Sequence, residues 1–197
     1  LAVVGGHHQL PARQRLALTR TTSPSQALAR RRAKELRPEN MPGRPIHIDG
    51  LNLIITLEVA LSDGMLFAAQ DGVIRDLAEL RGSYRLIPQT ETAISLLRAA
   101  LDGLGSSEVV IFLDAPVSNS GRLKAKIREQ AWAMPLRVEL ACNPDAELVG
   151  LERVASSDSI VLDRCADWFN LTVWILETQG LMPKLSRLIR LDQTWPD

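Results

Sequence analysis

The chain has 197 residues, 46% hydrophobic, 23% charged and 4% aromatic, with a formal net charge of zero; this suits one aliphatic α/β core of ordinary size with a smaller appendage. Two cysteines outside any Cys-x-x-Cys pair, Cys142 and Cys165, exclude a disulfide framework and a zinc site and are expected as buried thiols in a reducing cytosol. No apolar run reaches the roughly 20 residues of a membrane span, and none has the pattern of a cleavable leader, so no membrane partner is expected.

The start at Leu1 leads to the expectation of a trimmed or partial polypeptide. After an apolar opening and a Gly5-Gly6 break, residues 11–19 carry a helical pattern; Ser23-Pro24-Ser25 then offers an N-cap, and a second helix is predicted over 26–36. Residues 1–45 hold nine basic side chains against two acidic ones, a net +7 that leaves −7 on the rest. A basic helical extension over 1–44 on an acidic body over 45–197 fits a protein that touches polyanions with the first and collects cations with the second. A solvated helix whose arginines pair with the acidic body is the alternative. Pro38 to Pro45 is the predicted linker.

From Pro45 short apolar runs alternate with helical stretches. Strands are predicted over 46–48, 109–113, 136–140, 153–155 and 171–176, and helices over 51–61, 89–103, 120–132, 145–150, 159–169 and 182–190. Such alternation gives an α/β fold, a parallel sheet covered on both faces, with every strand's carboxyl end on one edge.

Three of these strands end in aspartate: Asp49 follows Ile48, Asp114 follows Leu113, and Asp158 follows Ser156-Ser157. A fourth acid, Asp145, stands where a helix begins in Asn143-Pro144-Asp145. Open α/β sheets bind ligands at this edge. Clustered carboxylates raise one another's pKa and call for a cation, and Mg2+ or Mn2+ prefers oxygen ligands while keeping several waters. The expected metal set is Asp49, Asp114 and Asp158, with Asp49 and Asp158 foremost and Asp145 reaching the ion through water. The reaction implied is phosphodiester hydrolysis by a metal-activated water, without a covalent nucleophile. Each aspartate alone also reads as a helix cap or turn residue; repetition at three strand ends is what points to a site. Asn52, three residues after Asp49, is placed to hold that carboxylate or a metal-bound water.

Other segments carry weaker signals. Ser118-Asn119-Ser120-Gly121-Arg122 offers amides, hydroxyls and a guanidinium as a phosphate cradle, or else a capping turn. Asp76, Glu79, Arg81, Tyr84 and Arg85 form either a substrate-facing strip or an ion-paired surface. His7, His8 and His47 make no metal site, and Trp132, Trp168, Trp174 and Trp195 read as packing residues. Dinucleotide, Walker and nucleophile-elbow motifs do not occur.

Asp49-Gly-Leu-Asn52 behind an apolar strand, an acid ending the second strand, Asn-Pro-Asp145 opening a helix and Ser156-Ser-Asp158-Ser closing the fourth strand resemble the PIN-like fold, closest to its NYN-like branch of metal-dependent ribonucleases. More narrowly, residues 45–58, 76–85 and 113–123 resemble a prokaryotic family of unknown function with a small helical N-terminal domain. The resemblance implies a three-layer fold with a sheet ordered 3-2-1-4-5, the acids at its carboxyl edge and RNA rather than DNA as substrate; Glu91 is either a further site acid from the second helix or a residue placed for the helix dipole. Two departures stand out. Ile160 occupies the place of a second fourth-strand acid, the next being Asp163, and residues 63–85 form an insertion that the general fold does not match. The expectation is a cytoplasmic, metal-dependent ribonuclease, with a homodimer left open. The alternatives are a non-catalytic PIN-like module that binds RNA or protein, and a phosphatase acting on small substrates.

Overall fold

The computed structural model describes residues 7–78 and 82–191. Two helices come first, α1 (Ala12–Thr21) and α2 (Ser25–Ala33), and Lys34 then leaves helical dihedrals so that a short strand, β1 (Glu35–Leu36), replaces the last expected helical turn. The body begins with β2 (Pro45–Asp49), α3 (Gly50–Leu61), β3 (Leu66–Ala68) and β4 (Ile74–Asp76). It continues through α4 (Pro88–Leu104), β5 (Glu108–Asp114), α5 (Ser120–Glu129), β6 (Leu136–Ala141) and α6 (Pro144–Leu148). The last described elements are β7 (Val154–Ala155), α7 (Ser159–Arg164), β8 (Trp168–Phe169), α8 (Leu171–Thr178) and β9 (Leu188–Arg190).

The architecture is α/β, with a six-stranded sheet in the order β1-β8-β7-β2-β5-β6 and every neighbouring pair parallel. Because side chains alternate across a strand, Ile46, Ile48, Ile111 and Leu113 bury against α3, α4 and α8 on one face, while Val154, Trp168, Leu148 and Leu162 form a second cluster on the other. Each fully buried aliphatic side chain contributes about 1.5–3 kcal/mol. None of the described helices is long and apolar enough to cross a membrane.

Three expected elements need correction. The run Leu171-Thr-Val-Trp-Ile-Leu176, predicted as the fifth strand from its short apolar pattern, is the helix α8; Leu171, Thr172, Ile175 and Leu176 are buried at helical spacing, so packing decides the element. The outer parallel strand is instead β8, inside the helix predicted over 159–169, which ends at Arg164. The helix predicted over 182–190 is a 3-10 turn at Met182–Lys184 followed by β9. Residues 63–85 contain a hairpin, β3 with β4, whose turn holds Gly72 at φ 80°, and β9 pairs with β3 to complete a three-stranded sheet. Cys165 is buried as expected, whereas Cys142 is exposed.

The basic unit is fastened to the body. The guanidinium of Arg31, 2% exposed, donates from Nε and Nη2 to Asp163 at 2.8 and 2.9 Å and from Nη1 to Asp71 at 2.8 Å, while its carbonyl accepts from Trp168 Nε1. Paired charges with their hydrogen bonds satisfied are the form in which a buried arginine is tolerated.

Candidate functional site

Asp49 ends the central strand and is only 4% exposed. The chain turns at once into α3 because Gly50 lies against β5: a Cβ there would come within 2.5 Å of the Ile111 side chain and 2.9 Å of the Phe112 carbonyl. Asp49 Oδ2 accepts from Asn52 Nδ2 at 3.1 Å, one helical turn on, and from Ser156 Oγ at 2.8 Å. Asn52 Oδ1 in turn accepts from Ser157 Oγ, and the Ser156 hydroxyl accepts from the Asp158 amide at 3.0 Å. The Asp49-to-Asn52 spacing thus delivers the contact expected of it.

The other acids arrive on neighbouring elements. Asp114 closes β5; Asp145 sits in the first turn of α6, whose N-cap Asn143 accepts from Ala146; Asp158 caps α7, its Oδ1 accepting from Ile160 at 2.6 Å and Val161 at 3.3 Å. All four aspartates line one cavity of about 490 Å³ at the carboxyl edge of the sheet, within the size range of ligand sites. Burial pushes the Asp49 carboxyl up to about 7; the hydrogen bonds from Ser156 and Asn52 oppose this, and the charges of Asp145 and Asp114 add to it. Asp114 is raised by burial, and Asp145 by partial burial and then by the charges of Asp158 and Asp114. Asp145, expected at the periphery, is therefore the acid whose charge bears most on Asp49, while Asp158 is engaged in its helix cap.

Three further charged residues line the same cavity: Arg20 from α1, and Arg75 and Asp76 from the hairpin. Asp76 belongs to the strip expected to be either substrate-facing or an ion-paired surface; the Asp71-Gly72 pair between two apolar runs is the hairpin signal that also brings Arg75 here, whereas no local pattern marks Arg20. Asp76 is buried and accepts from Thr56 Oγ1 and the Ala78 amide, both at 2.7 Å. Arg75 grips Asp71 with Nη1 and Nη2 at 2.7 Å, and its Nε donates to the Ser157 carbonyl at 2.7 Å. Burial alone would raise the Asp71 carboxyl, but Arg75 and Arg31 hold it below its ordinary value.

The expected phosphate cradle is placed elsewhere. Ser118, Asn119, Ser120 and Arg122 are absent from the lining of this cavity. Asn119 Nδ2 donates to the Tyr84 carbonyl at 2.7 Å, Ser118 bridges to Ser83, and the Ser120 hydroxyl is buried without a partner among the described residues. Tyr84 is itself buried, its hydroxyl donating to Glu58 at 2.6 Å. Arg85 is exposed, Glu91 pairs with Lys126 at 3.7 Å on the surface, and Glu79, Arg81 and Trp195 lie outside the described residues. Asp163 faces Arg31 and leaves exposed Ile160 at the cavity rim.

Among the described residues, no three Asp, Glu, His or Cys side chains are gathered tightly enough to enclose a metal ion by themselves, the set Asp49, Asp114 and Asp158 included. The four aspartates share the lining of one cavity without forming a closed set of ligands. That suits an ion held by one or two carboxylates with water and a substrate phosphate completing its shell, as magnesium commonly is, and not a closed protein cage.

Residues 38–174 match the family described as a Domain of unknown function (DUF5616), and residues 1–34 match one described as a Protein of unknown function (DUF434). Over 164 residues the chain is 35% identical to the Uncharacterized protein MJ0935 of Methanocaldococcus jannaschii, covering 82% of this chain and 78% of that protein. No solved structure matches it.

Proposed function

The chain belongs to the DUF5616 family, and we propose that its aspartate-lined cavity is the active site of a PIN-like, metal-dependent phosphodiesterase acting on RNA. One observation carries this reading: Asp49, Asp114, Asp145 and Asp158, from four separate elements, line a single cavity at the carboxyl edge of a parallel sheet. The strand order supports it. With β1 set aside, the sheet runs β8-β7-β2-β5-β6, which in chain order is the 3-2-1-4-5 arrangement read from its other edge.

Asp49, with one of Asp114 and Asp145 beside it, would hold Mg2+ or Mn2+, the other acids acting on the ion through water. Such an ion supplies, when bound, positive charge for the scissile phosphate and an acidified water. The chain's own contribution is orientation and proton storage. Asn52 and Ser156 both fix Oδ2 of Asp49, which leaves Oδ1 for a ligand. Burial pushes the metal-free Asp49 carboxyl up to about 7, so cation binding near neutral pH is coupled to proton release. Asp158 and Ser156 hold the loop between β7 and α7 against Asp49.

A non-catalytic module that binds RNA or protein is the second reading, and exposed Ile160 at the rim, with Asp163 committed to Arg31, is the observation that favours it. The test is manganese-dependent cleavage of a labelled RNA by the whole chain, beside Asp49→Asn and Asp114→Asn. Cleavage by the wild type that both substitutions abolish supports the nuclease. RNA bound but intact selects the binding module, and intact RNA with hydrolysis of a nucleotide monoester selects a small-substrate phosphatase.

A further inference from the structure

We propose that the N-terminal helical unit completes the site, with Arg20 as the residue that grips the substrate phosphate. The inference rests on the phosphodiesterase reading and adds to it a residue that lies outside the α/β body.

The cavity is strongly acidic. Asp49, Asp76, Asp114, Asp145 and Asp158 line it, against two arginines, Arg20 and Arg75. A phosphodiester entering it needs positive charge from the protein as well as from any bound cation, since like charges at this range repel. Arg75 has none of its fork to give: it is 6% exposed, Nη1 and Nη2 are on Asp71, and Nε is on the Ser157 carbonyl. Arg20 is held differently. Its Nη1 donates to the carbonyls of Asp76 at 2.9 Å and Ala78 at 3.5 Å, and the same nitrogen stands 3.9 Å from Asp76 Oδ1. Both hydrogen bonds use one nitrogen, and the side chain is 35% exposed. Among the described residues Nε and Nη2 have no partner, and these are two adjacent donors of the planar fork that matches a pair of phosphate oxygens.

The helix that carries Arg20 is fixed in place, so the guanidinium is a positioned group and not a trailing charge. The Gln70 amide donates to the Thr21 carbonyl at 3.0 Å, the Ser23 amide donates to Gln70 Oε1 at 3.2 Å, and Thr21 is buried. Ser23 Oγ also accepts from Arg31 at 3.0 Å, which ties the turn between α1 and α2 to the buried ion cluster. Asp76, whose backbone anchors Arg20, is locked from the other side by Thr56 and the Ala78 amide. By contrast Arg13 and Arg15, on the same helix, are exposed and away from the cavity lining.

The test compares wild type, Arg20→Ala, Arg20→Lys, Arg13→Ala and Asp49→Asn in manganese-dependent cleavage of a short, labelled single-stranded RNA, with kcat and KM separated and melting temperatures recorded. Arg20→Ala should lower kcat/KM by about 10- to 100-fold, the loss of charge-assisted hydrogen bonds. Arg20→Lys should recover little of it, because a point charge cannot reproduce the fork. Arg13→Ala should stay within about twofold, as expected for an exposed charge. Three results overturn the inference while the nuclease reading stands: Arg20→Ala cleaving like the wild type when Asp49→Asn is inactive, Arg20→Ala and Arg13→Ala losing activity alike, or Arg20→Lys restoring the full rate. If Arg20→Ala does not fold, Arg20→Lys decides alone. A wild type inert toward RNA and indifferent to Asp49→Asn overturns both readings.

Discussion

The backbone carbonyl of Ser157 accepts a 2.7 Å hydrogen bond from Nε of Arg75, which ties the loop carrying Asp158 to a buried ion cluster rooted in the N-terminal unit. The same cluster holds Arg31 against Asp71 and Asp163. Arg31→Ala leaves a buried carboxylate short of a partner and is expected to cost about 3–5 kcal/mol, as breaking a buried pair does. Denaturant unfolding measures this, and a cost below about 1 kcal/mol would show that the pair is no more than a surface contact. Arg31→Lys should lose much of the same stability, since one ammonium cannot serve two carboxylates in the geometry of a fork.

The raised Asp49 carboxyl makes stability depend on pH. Burial in the folded protein pushes this group up to about 7, against 3.8 ordinarily. Below about pH 4 both folded and unfolded chains carry the proton, and the contribution is fully present. As pH rises to 7 the unfolded chain releases its proton first, so stability falls through this window by about 3–5 kcal/mol and then levels off. In EDTA-treated protein Asp49→Asn should flatten the curve between pH 4 and 7 and melt higher than the wild type at pH 8. A wild-type curve flat across that window would show that Asp49 ionises normally.

Asp145 and Asp158 should separate in a titration. The charge of Asp145 helps raise Asp49, so Asp145→Asn is expected to move the Asp49 midpoint downward, readable from its carboxyl carbon by NMR. Asp158→Asn should leave that midpoint nearly in place and weaken the start of α7 instead, by about 1 kcal/mol or less, because asparagine is also a good N-cap. The opposite pattern would restore Asp158 to the first rank.

Gly50 is a test of how tightly the central carboxylate is placed. A methyl group there would meet Ile111, Leu113 and the Phe112 carbonyl at 2.5–2.9 Å. Gly50→Ala should therefore destabilise by about 1–3 kcal/mol as overpacking, despite the better helix propensity of alanine, and, on the proposed metal-dependent reading, weaken manganese binding by shifting Asp49. Isothermal titration with manganese beside a melting curve separates the two effects.

The parts legible in the sequence are those whose causes are local. Ile46-His-Ile48 before Asp49, and Val109 to Leu113 before Asp114, announce buried strands that end in acid, and Asp49-Gly-Leu-Asn52 announces a contact one helical turn long. What escaped depends on distant partners. Nothing in Arg30-Arg31-Arg32 distinguishes the middle residue, which is buried because Asp71 and Asp163 lie 40 and 132 positions away. Leu171 to Leu176 has the composition of a strand, and only the packing of its two buried turns makes it a helix. The cradle expected at Ser118 to Arg122 has suitable chemistry, but Asn119 is turned to the Tyr84 carbonyl, a partner that no local pattern marks.

The pairing of Glu35 and Leu36 with Trp168 and Phe169 bears on how the protein is truncated. A fragment beginning at Pro45 would strip β1 from the large sheet and turn β8 into a raw edge, its backbone groups unpaired on one side and the Trp168 indole deprived of the Arg31 carbonyl. Uncapped strand edges of this kind recruit other chains. Such a fragment is expected to self-associate during purification, whereas in the whole chain Glu35 and Leu36 cover that edge.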